Sequence, residues 1–278
     1  VIPVLFLNTL FSSFIFLPFI VLSSTTFLLN DTPFYVASVG WETHRYILLK
    51  SVIVLSSWVF GYFGMKHLPL TIVGPINATR PVLVLMGAML IFGERLNLLQ
   101  WVGVLLAIAS FFLLSRSGKR EGIDFKHNRW IYAIVLAALL GACSGLYDKY
   151  LMAPVEAGGV GLDRMAVQSW YNLYQCVMMG VVLLLVWFPS RKHTTPFRPH
   201  WAILCISVFL SAADFVYFYA LSQPGAMVSV VSMVRRGSVI VSFMFGALLF
   251  HEKNLENKAI DLLLVLLGML FLYLGSNG

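Results

Sequence analysis

The sequence consists of long apolar runs separated by shorter polar connections. Because an α-helix rises about 1.5 Å per residue and the hydrocarbon layer of a membrane is about 30 Å thick, about 20 apolar residues cross it as a helix. The runs are too long and too uniformly apolar for the strands of a membrane barrel. They predict an all-α, polytopic transmembrane bundle with nine spans: 1–22, 46–65, 70–92, 98–114, 130–151, 167–188, 201–221, 226–250 and 259–274.

The composition excludes an ordinary soluble domain. Hydrophobic residues make up 59% of the chain and charged residues 11%, whereas a soluble domain has about 25% charged residues. The net charge of +7 comes from Lys and Arg side chains that gather in the connections, where they face a membrane surface rather than nucleic acid. We therefore expect an integral, multi-pass protein of a bacterial inner (plasma) membrane, whose main partner is the lipid bilayer.

Cysteine and histidine lack the spacing of a metal site or of a disulfide framework. Cys143, Cys176 and Cys205 lie singly within apolar runs, without a CxxC motif. The histidines lie in connections without HxxxH or HxxE spacing: His44, His67, His127, His193, His200 and His251. The sequence therefore predicts no metal site, no cofactor and no enzymatic activity.

The second half of the sequence repeats the first. Four residues recur at one offset of 155 positions: Tyr62, Phe63, Pro69 and Arg80 return as Tyr217, Phe218, Pro224 and Arg235. The second half holds five runs and the first half four, so we expect a ten-helix protein whose first helix would precede Val1. An odd number of spans per half predicts inverted-topology repeats of five plus five helices. The predicted division is a first repeat at 1–115, a polar connecting loop at 116–129 and a second repeat at 130–278.

The helix junctions carry a further recurring feature. Gly93-Glu94-Arg95 ends one apolar run, and His251-Glu252-Lys253 ends the matching run of the second half. Residues 68–114, which contain the first of these turns, resemble the fourth and fifth helices of the EamA-type permeases of the drug/metabolite transporter superfamily. Residues 224–274 resemble the second copy. The resemblance implies a helical bundle that transports metabolites, amino acids or xenobiotics, often outward.

Three arginines are predicted to lie deep in the membrane, where a charge costs about 2.5 kcal/mol or more. Arg80 lies near the middle of its helix, with Asn77 one turn away on the same face. Arg235 and Arg236 lie equally deep in the eighth run. We predict that these four residues bind the substrate.

Two acidic residues, Asp214 and Asp148, are also predicted to lie within the membrane, and they are the predicted proton carriers. Counted from the tight connection at 222–225, Asp214 and Arg235 lie within about 5 Å in depth on adjacent helices. An ion pair of Asp214 with Arg235 or Arg236 is therefore feasible. The first half has no acid at the position that matches Asp214, so Arg80 has no evident partner in its neighbouring helix.

Aromatic side chains and one lysine complete the predictions. Aromatic residues make up 14% of the chain, so most of them serve packing or the membrane interface. Tyr62 and Tyr217 are the exceptions that we assign to the substrate site, because the repeat preserves them. Lys50 is expected to lie near a helix end and to extend its ammonium group to the interface.

The membrane charges allow two interpretations. They either neutralise one another and fix the register of the helices, or an arginine attracts an anionic group while an aspartate carries a proton. Three arginines against two acids favour an anionic or zwitterionic substrate. The predicted function is a secondary-active exporter or permease of small polar metabolites that works by alternating access. The alternatives are an integral-membrane enzyme acting on lipid and a non-transporting scaffold or receptor.

Overall fold

The computed structural model consists mainly of helices. It describes residues 1–69, 72–73, 76–77, 79–92, 97–106, 109, 127–191, 197, 199–223, 226, 228, 231, 235 and 255–276, and no β-strand occurs among them. The α-helices are α1 (Ile2–Thr25), α2 (Trp41–His67), α3 (Arg80–Phe92), α4 (Arg129–Met152), α5 (Arg164–Val182), α6 (Ala202–Leu221) and α7 (Leu255–Ser276).

Five helical stretches in the described part are long and apolar enough to cross a membrane: α1, α2, α4, α6 and Arg164–Ser190. In the last of these, α5 continues through a π-helical turn (Leu183–Trp187) and a final α-helical turn (Phe188–Ser190). The predicted all-α, polytopic membrane bundle is confirmed. The eighth predicted run lies largely outside the described residues. The nine spans, the missing first helix and the inverted repeats stay predictions.

Local sequence signals fix the start of α5. The Asp163 carboxylate precedes this helix and accepts a hydrogen bond from the backbone N–H of Ala166 at 2.8 Å, which satisfies one of the free donors of the first turn. The connection from α4 reverses direction through Gly158 and Gly161, whose φ angles are 78° and 69°. Glycine adopts this left-handed conformation without a steric penalty.

The helices fall into two compact units. Unit 1 comprises Val1–Leu55 and Tyr147–Pro224, and unit 2 comprises Ser56–Leu146 and Gly225–Gly278. Unit 1 thus contains α1, the first part of α2, the end of α4, α5 and α6. Each unit draws on segments from both predicted repeats, and the predicted repeat boundaries stay a prediction.

In unit 1, α1 packs against α5 and α6. An apolar cluster lies at one end of this three-helix contact: Phe16, Val36, Met165 and Ala166. The connection between α1 and α2 contacts the same end, because the Phe34 ring stacks between Phe19 and Phe215 at centroid distances of 5.4 and 5.3 Å. We call this cluster and ring stack the apolar end of unit 1.

In unit 2, the second part of α2 lies close to α4 because two glycines of α2 face it. A Cβ atom at Gly61 would lie 3.8 Å from the Ala137 side chain, whereas one at Gly64 would overlap the side chain of Ile134. The Ser57 hydroxyl donates a hydrogen bond to the Ala137 carbonyl at 2.8 Å. Small residues allow membrane helices to approach in this way.

We expect Gly64→Ala to destabilise the protein by about 1–3 kcal/mol, because the added methyl group overlaps Ile134, which is 0% exposed and has no free space to enter. Gly61→Ala is the matched control, since its methyl group makes an ordinary contact with Ala137. Thermal unfolding of the purified variants in detergent measures the difference. Equal melting temperatures for the two variants would contradict this packing account.

Candidate functional site

The centre of the candidate site in unit 1 is a buried ion pair. The Lys50 ammonium comes from α2, and the Asp148 carboxylate comes from the last turns of α4. Lys50 Nζ contacts Asp148 Oδ1 directly, and the two residues are only 2% and 3% exposed. Two opposite charges are therefore held inside a membrane-spanning bundle.

Aromatic residues of α5 and α6 surround this pair. The Tyr217 hydroxyl donates a hydrogen bond to Asp148 Oδ2 at 3.3 Å. Lys50 Nζ lies 4.9 Å from the ring centroids of both Tyr171 and Phe218, within the range of a cation–π interaction. The ammonium group is thus held by one carboxylate and two aromatic rings.

A second carboxylate joins the site through Tyr171. The Tyr171 hydroxyl donates a hydrogen bond to Asp214 Oδ2 at 2.6 Å, and Asp214 is 6% exposed. The site therefore contains one ammonium group and two carboxylates. Its formal charge is −1 when all three groups are ionised, and one bound proton makes it neutral. We call Lys50, Asp148, Tyr171, Asp214 and Tyr217 the charged cluster.

The structure corrects the prediction for Lys50. The sequence pattern predicted a side chain near a helix end that reaches the interface, and this is wrong because α2 begins at Trp41 rather than at position 46. At about 1.5 Å per residue, the earlier start places Lys50 about 14 Å into the helix. Its salt bridge to Asp148 joins residues that are 98 positions apart, which no local pattern reveals.

A cavity of about 410 Å³ lies at the start of α2 in unit 1. Its lining combines aromatic and charged side chains: Trp41, Glu42, His44, Arg45, Leu48 and Tyr174. The Tyr174 hydroxyl and His44 Nδ1 share a hydrogen bond of 2.8 Å, and Glu42 and Arg45 form an exposed ion pair of 3.0 Å. Leu48 of this lining lies two residues before Lys50 in α2, and none of the five residues of the charged cluster lines the cavity.

Arg80 occupies unit 2, at the start of α3. Its Nη2 donates a hydrogen bond to the Ala137 carbonyl of α4 at 3.2 Å, and its guanidinium group lies against Gly141, where a Cβ atom would overlap it. Buried Nε of Arg80 and buried Oδ1 of Asn77 have no hydrogen-bond partner within the described residues. Arg80 and Asn77 therefore present one donor and one acceptor that no group in the described part of the chain uses.

The other predicted site residues lie apart from this cluster or outside the described part. Arg235 is helical and exposed, and its charge acts on that of Arg80. Arg236 lies outside the described residues. Tyr62 is half-buried in unit 2. Asp214 and Arg235 belong to different units, and the predicted ion pair of Asp214 with Arg235 or Arg236 stays a prediction.

Within the described ranges, no group of three or more His, Cys, Asp or Glu side chains could hold a metal ion. In the charged cluster, the Asp148 carboxylate pairs with Lys50 and accepts from Tyr217, and the Asp214 carboxylate accepts from Tyr171.

Comparison with known proteins supports a membrane transporter. One solved structure, whose title reads only "Crystal structure of protein", is similar to this chain with a TM-score of 0.67 and a sequence identity of 16%. The similarity covers 100% of this chain and 89% of the other chain. It shows a shared fold. None of the curated proteins matches the chain. The EamA-like transporter family matches residues 1–116. The predicted resemblance is therefore confirmed over residues 1–116, the part of this integral, multi-pass membrane protein that matches the EamA-like transporter family.

Proposed function

We propose that the protein is a secondary-active transporter, an exporter or permease of small polar metabolites that are amino-acid-like, zwitterionic or anionic, and that it works by alternating access. The observation that carries this proposal is the buried Lys50–Asp148 ion pair within apolar, membrane-length helices. The family match supports the transporter class.

Stability alone is a poor explanation for this ion pair. Removing two charges from water costs several kcal/mol per ion, and replacing a buried pair by apolar residues is often neutral or stabilising. Charged residues inside membrane segments instead mark ion and substrate pathways. The cluster also includes Asp214, which is not needed to neutralise Lys50.

An internal ion pair is the electrostatic complement of a zwitterion. A solute carboxylate can take the place of Asp148 beside Lys50, while the solute ammonium group binds Asp148. The total charge is unchanged by this exchange, so the solute enters without leaving a buried charge unpaired. The Tyr171 and Phe218 rings, each 4.9 Å from Lys50 Nζ, hold the lysine in place when Asp148 turns to the solute.

Asp214 is the proposed proton carrier. It lies beside the ion pair but pairs with a neutral phenol, Tyr171, at 2.6 Å. A proton on this carboxylate changes the formal charge of the cluster from −1 to zero. Loading and release of that proton can therefore be linked to the binding of a solute at Lys50 and Asp148, as transport driven by a proton gradient requires.

Arg80 is the proposed anion-binding residue of unit 2. Its Nε is a buried donor without a partner in the described part of the chain, and the neighbouring charge of Arg235 adds to the positive potential. Two guanidinium groups of like charge attract an anionic group. Asn77, one turn before Arg80, offers a neutral polar contact.

The ion pair yields a stability test and a transport test. We expect Lys50→Met and Asp148→Leu each to destabilise the protein by about 3–5 kcal/mol, because each leaves one buried charge without its partner. The double variant should recover most of this stability while uptake of zwitterionic solutes stays at background. Thermal unfolding and uptake of labelled acidic, zwitterionic and cationic metabolites into proteoliposomes measure the two effects.

A double variant that transports zwitterions at the wild-type rate would show that the pair only fixes the helix register. If the wild-type protein moves none of the three solute classes, the enzyme or scaffold alternatives gain support.

A proton gradient provides the second test. We expect wild-type solute flux to rise with an imposed pH difference and Asp214→Asn to lose this stimulation, because an amide cannot bind and release the proton. Exchange of solute at equal pH on both sides should persist in Asp214→Asn. Tyr171→Phe is the control, since it keeps the carboxylate and removes only its hydrogen-bond donor. Full stimulation in Asp214→Asn would rule out Asp214 as the carrier.

The position of the Arg80 guanidinium group can be tested by a mutation at the neighbouring residue Gly141, which leaves Arg80 itself unchanged. We expect Gly141→Ala to lower the flux of anionic metabolites several-fold, because its methyl group overlaps the guanidinium group, and Arg80→Ala to lower it further. Flux of cationic metabolites should change little. Arg80→Lys, which retains the charge but not the planar donor array, separates charge from geometry. Equal losses for anions and cations would indicate a packing defect instead.

A further inference from the structure

The contact of α1, α5 and α6 in unit 1 contains an unusual concentration of buried polar side chains. They line a strip on the facing sides of the three helices: Asn8, Thr9, Ser12 and Ser13 of α1, Gln168, Ser169, Asn172 and Gln175 of α5, and Ser207 and Ser211 of α6. We call this strip the polar seam. None of these side chains carries a formal charge, and each of them is at least nine-tenths buried.

Part of the polar seam is explained by contacts between helices. The Ser207 hydroxyl donates to Asn8 Oδ1 at 2.8 Å, and the Ser211 hydroxyl bonds to that of Ser12 at 3.2 Å. The Ser13 hydroxyl lies 2.9 Å from the Asn172 carbonyl of α5. Polar contacts of this kind hold membrane helices together.

The remaining polar atoms of the seam have no such explanation. Within the described residues, both Gln175 side-chain atoms, Gln168 Oε1, Ser169 Oγ and Asn8 Nδ2 are buried without a hydrogen-bond partner. Buried polar groups without partners are costly and are few in folded proteins. The set offers two amide donors, two amide acceptors and a hydroxyl that can do both. This mixed and uncharged set matches water, which needs two to four polar partners at a buried site.

The seam leads to the proposed proton carrier. Ser207, Ser211 and Asp214 follow one another at intervals of four and three residues on one face of α6. Gln168 Nε2 donates to the Ser211 carbonyl at 3.2 Å, and Gln168 lies one turn before Tyr171, whose hydroxyl binds Asp214. Hydrogen-bonding groups therefore continue from Asn8 and Ser207, in the second turns of α1 and α6, to the Asp214 carboxylate.

The polar seam does not continue past Asp214 toward the apolar end of unit 1. Phe215 follows Asp214 directly and belongs to the ring stack with Phe34 and Phe19. Beyond it, the Arg164 guanidinium lies 5.0 Å from the Phe215 ring and donates to the Pro33 carbonyl at 2.8 Å. The apolar end of unit 1 thus separates Asp214 from that side, so the polar seam extends from Asp214 in one direction only.

We propose that the polar seam binds a short chain of water molecules that carries protons between Asp214 and the second turns of α1 and α6, at Asn8 and Ser207. This inference rests on the proposed role of Asp214 and adds the route and the direction of proton movement. The donors and acceptors of Gln175, Gln168, Ser169 and Asn8 hold the waters.

The titratable groups that face Asp214 are consistent with such a route. Tyr171 of α5 binds its carboxylate, Lys50 lies across the Tyr171 ring, and Asp148 and Tyr217 complete the charged cluster. The residues that α1 contributes to the seam are amides and hydroxyls without a titratable group. Among the described residues, the Cys176 thiol is a titratable group beside them, and it hydrogen-bonds to Ser13. Protons that move along the seam must therefore use bound water.

A methionine of α5 allows a direct test on the protein. Met179 lies one turn beyond Gln175 on the same helix face. It is 0% exposed. X-ray radiolysis of the protein in lipid nanodiscs generates hydroxyl radicals from bound water, and mass spectrometry detects the oxidation of neighbouring methionines.

We expect radiolysis to oxidise Met179 although its side chain is buried. Gln175→Leu should reduce Met179 oxidation several-fold, because it removes two of the groups that hold water. Ser51→Ala is the control, since Ser51 is equally buried but its hydroxyl already bonds to the Ile47 carbonyl at 2.8 Å. Absence of Met179 oxidation in the wild-type protein, or unchanged Met179 oxidation in Gln175→Leu, would overturn the proposal.

A transport measurement separates this inference from the proposed function. In proteoliposomes, Gln175→Leu should slow flux driven by a pH difference several-fold and leave solute exchange at equal pH unchanged. Loss of both activities in Gln175→Leu, with folding intact, would overturn the water chain and assign Gln175 to the solute. The radiolysis result does not depend on transport, so a wild-type protein without flux would refute the proposed function alone.

Discussion

The ion pair of Lys50 and Asp148 determines the arrangement of the charged cluster in unit 1. A bare ammonium group inside a membrane bundle is unstable unless a carboxylate and other polar or aromatic groups replace its water. In this structure, α2 therefore lies beside the end of α4, which supplies the carboxylate. The rings of Tyr171 in α5 and Phe218 in α6 contact the ammonium group. The same rings bring Asp214 and Tyr217 to the pair, so one buried charge brings four helices together.

The buried side chains between α1, α5 and α6 change from apolar to charged to neutral polar along the helices. At one end the Phe34 ring and the apolar cluster exclude polar groups. Asp214 follows in the middle, and neutral amides and hydroxyls occupy the stretch beyond it. Packing alone does not require this order, because apolar residues of similar size would fill the same space without unpaired donors. A one-sided route for a small polar ligand accounts for the order.

The sequence predicted the class of the fold well, because the length and composition of apolar runs reflect the thickness of the membrane directly. It placed Asp148 and Asp214 within apolar runs, and both are buried in unit 1, whereas Arg80 is half-buried in unit 2. The partners could not be predicted, since Lys50 and Asp148 are 98 positions apart and helix depth alone does not show which faces meet. An error in the start of α2 was enough to assign Lys50 to the interface. Tyr217 was selected because the repeat preserves it, yet its hydrogen bond is to Asp148.

The two helices that carry the ion pair are also the two that run through both units. α2 passes from unit 1 to unit 2 after Leu55, and α4 passes from unit 2 to unit 1 after Leu146. Lys50 and Asp148 lie within about two turns of these borders. Under the proposed exchange mechanism, a solute that separates the pair acts on the two helices that contribute residues to both units.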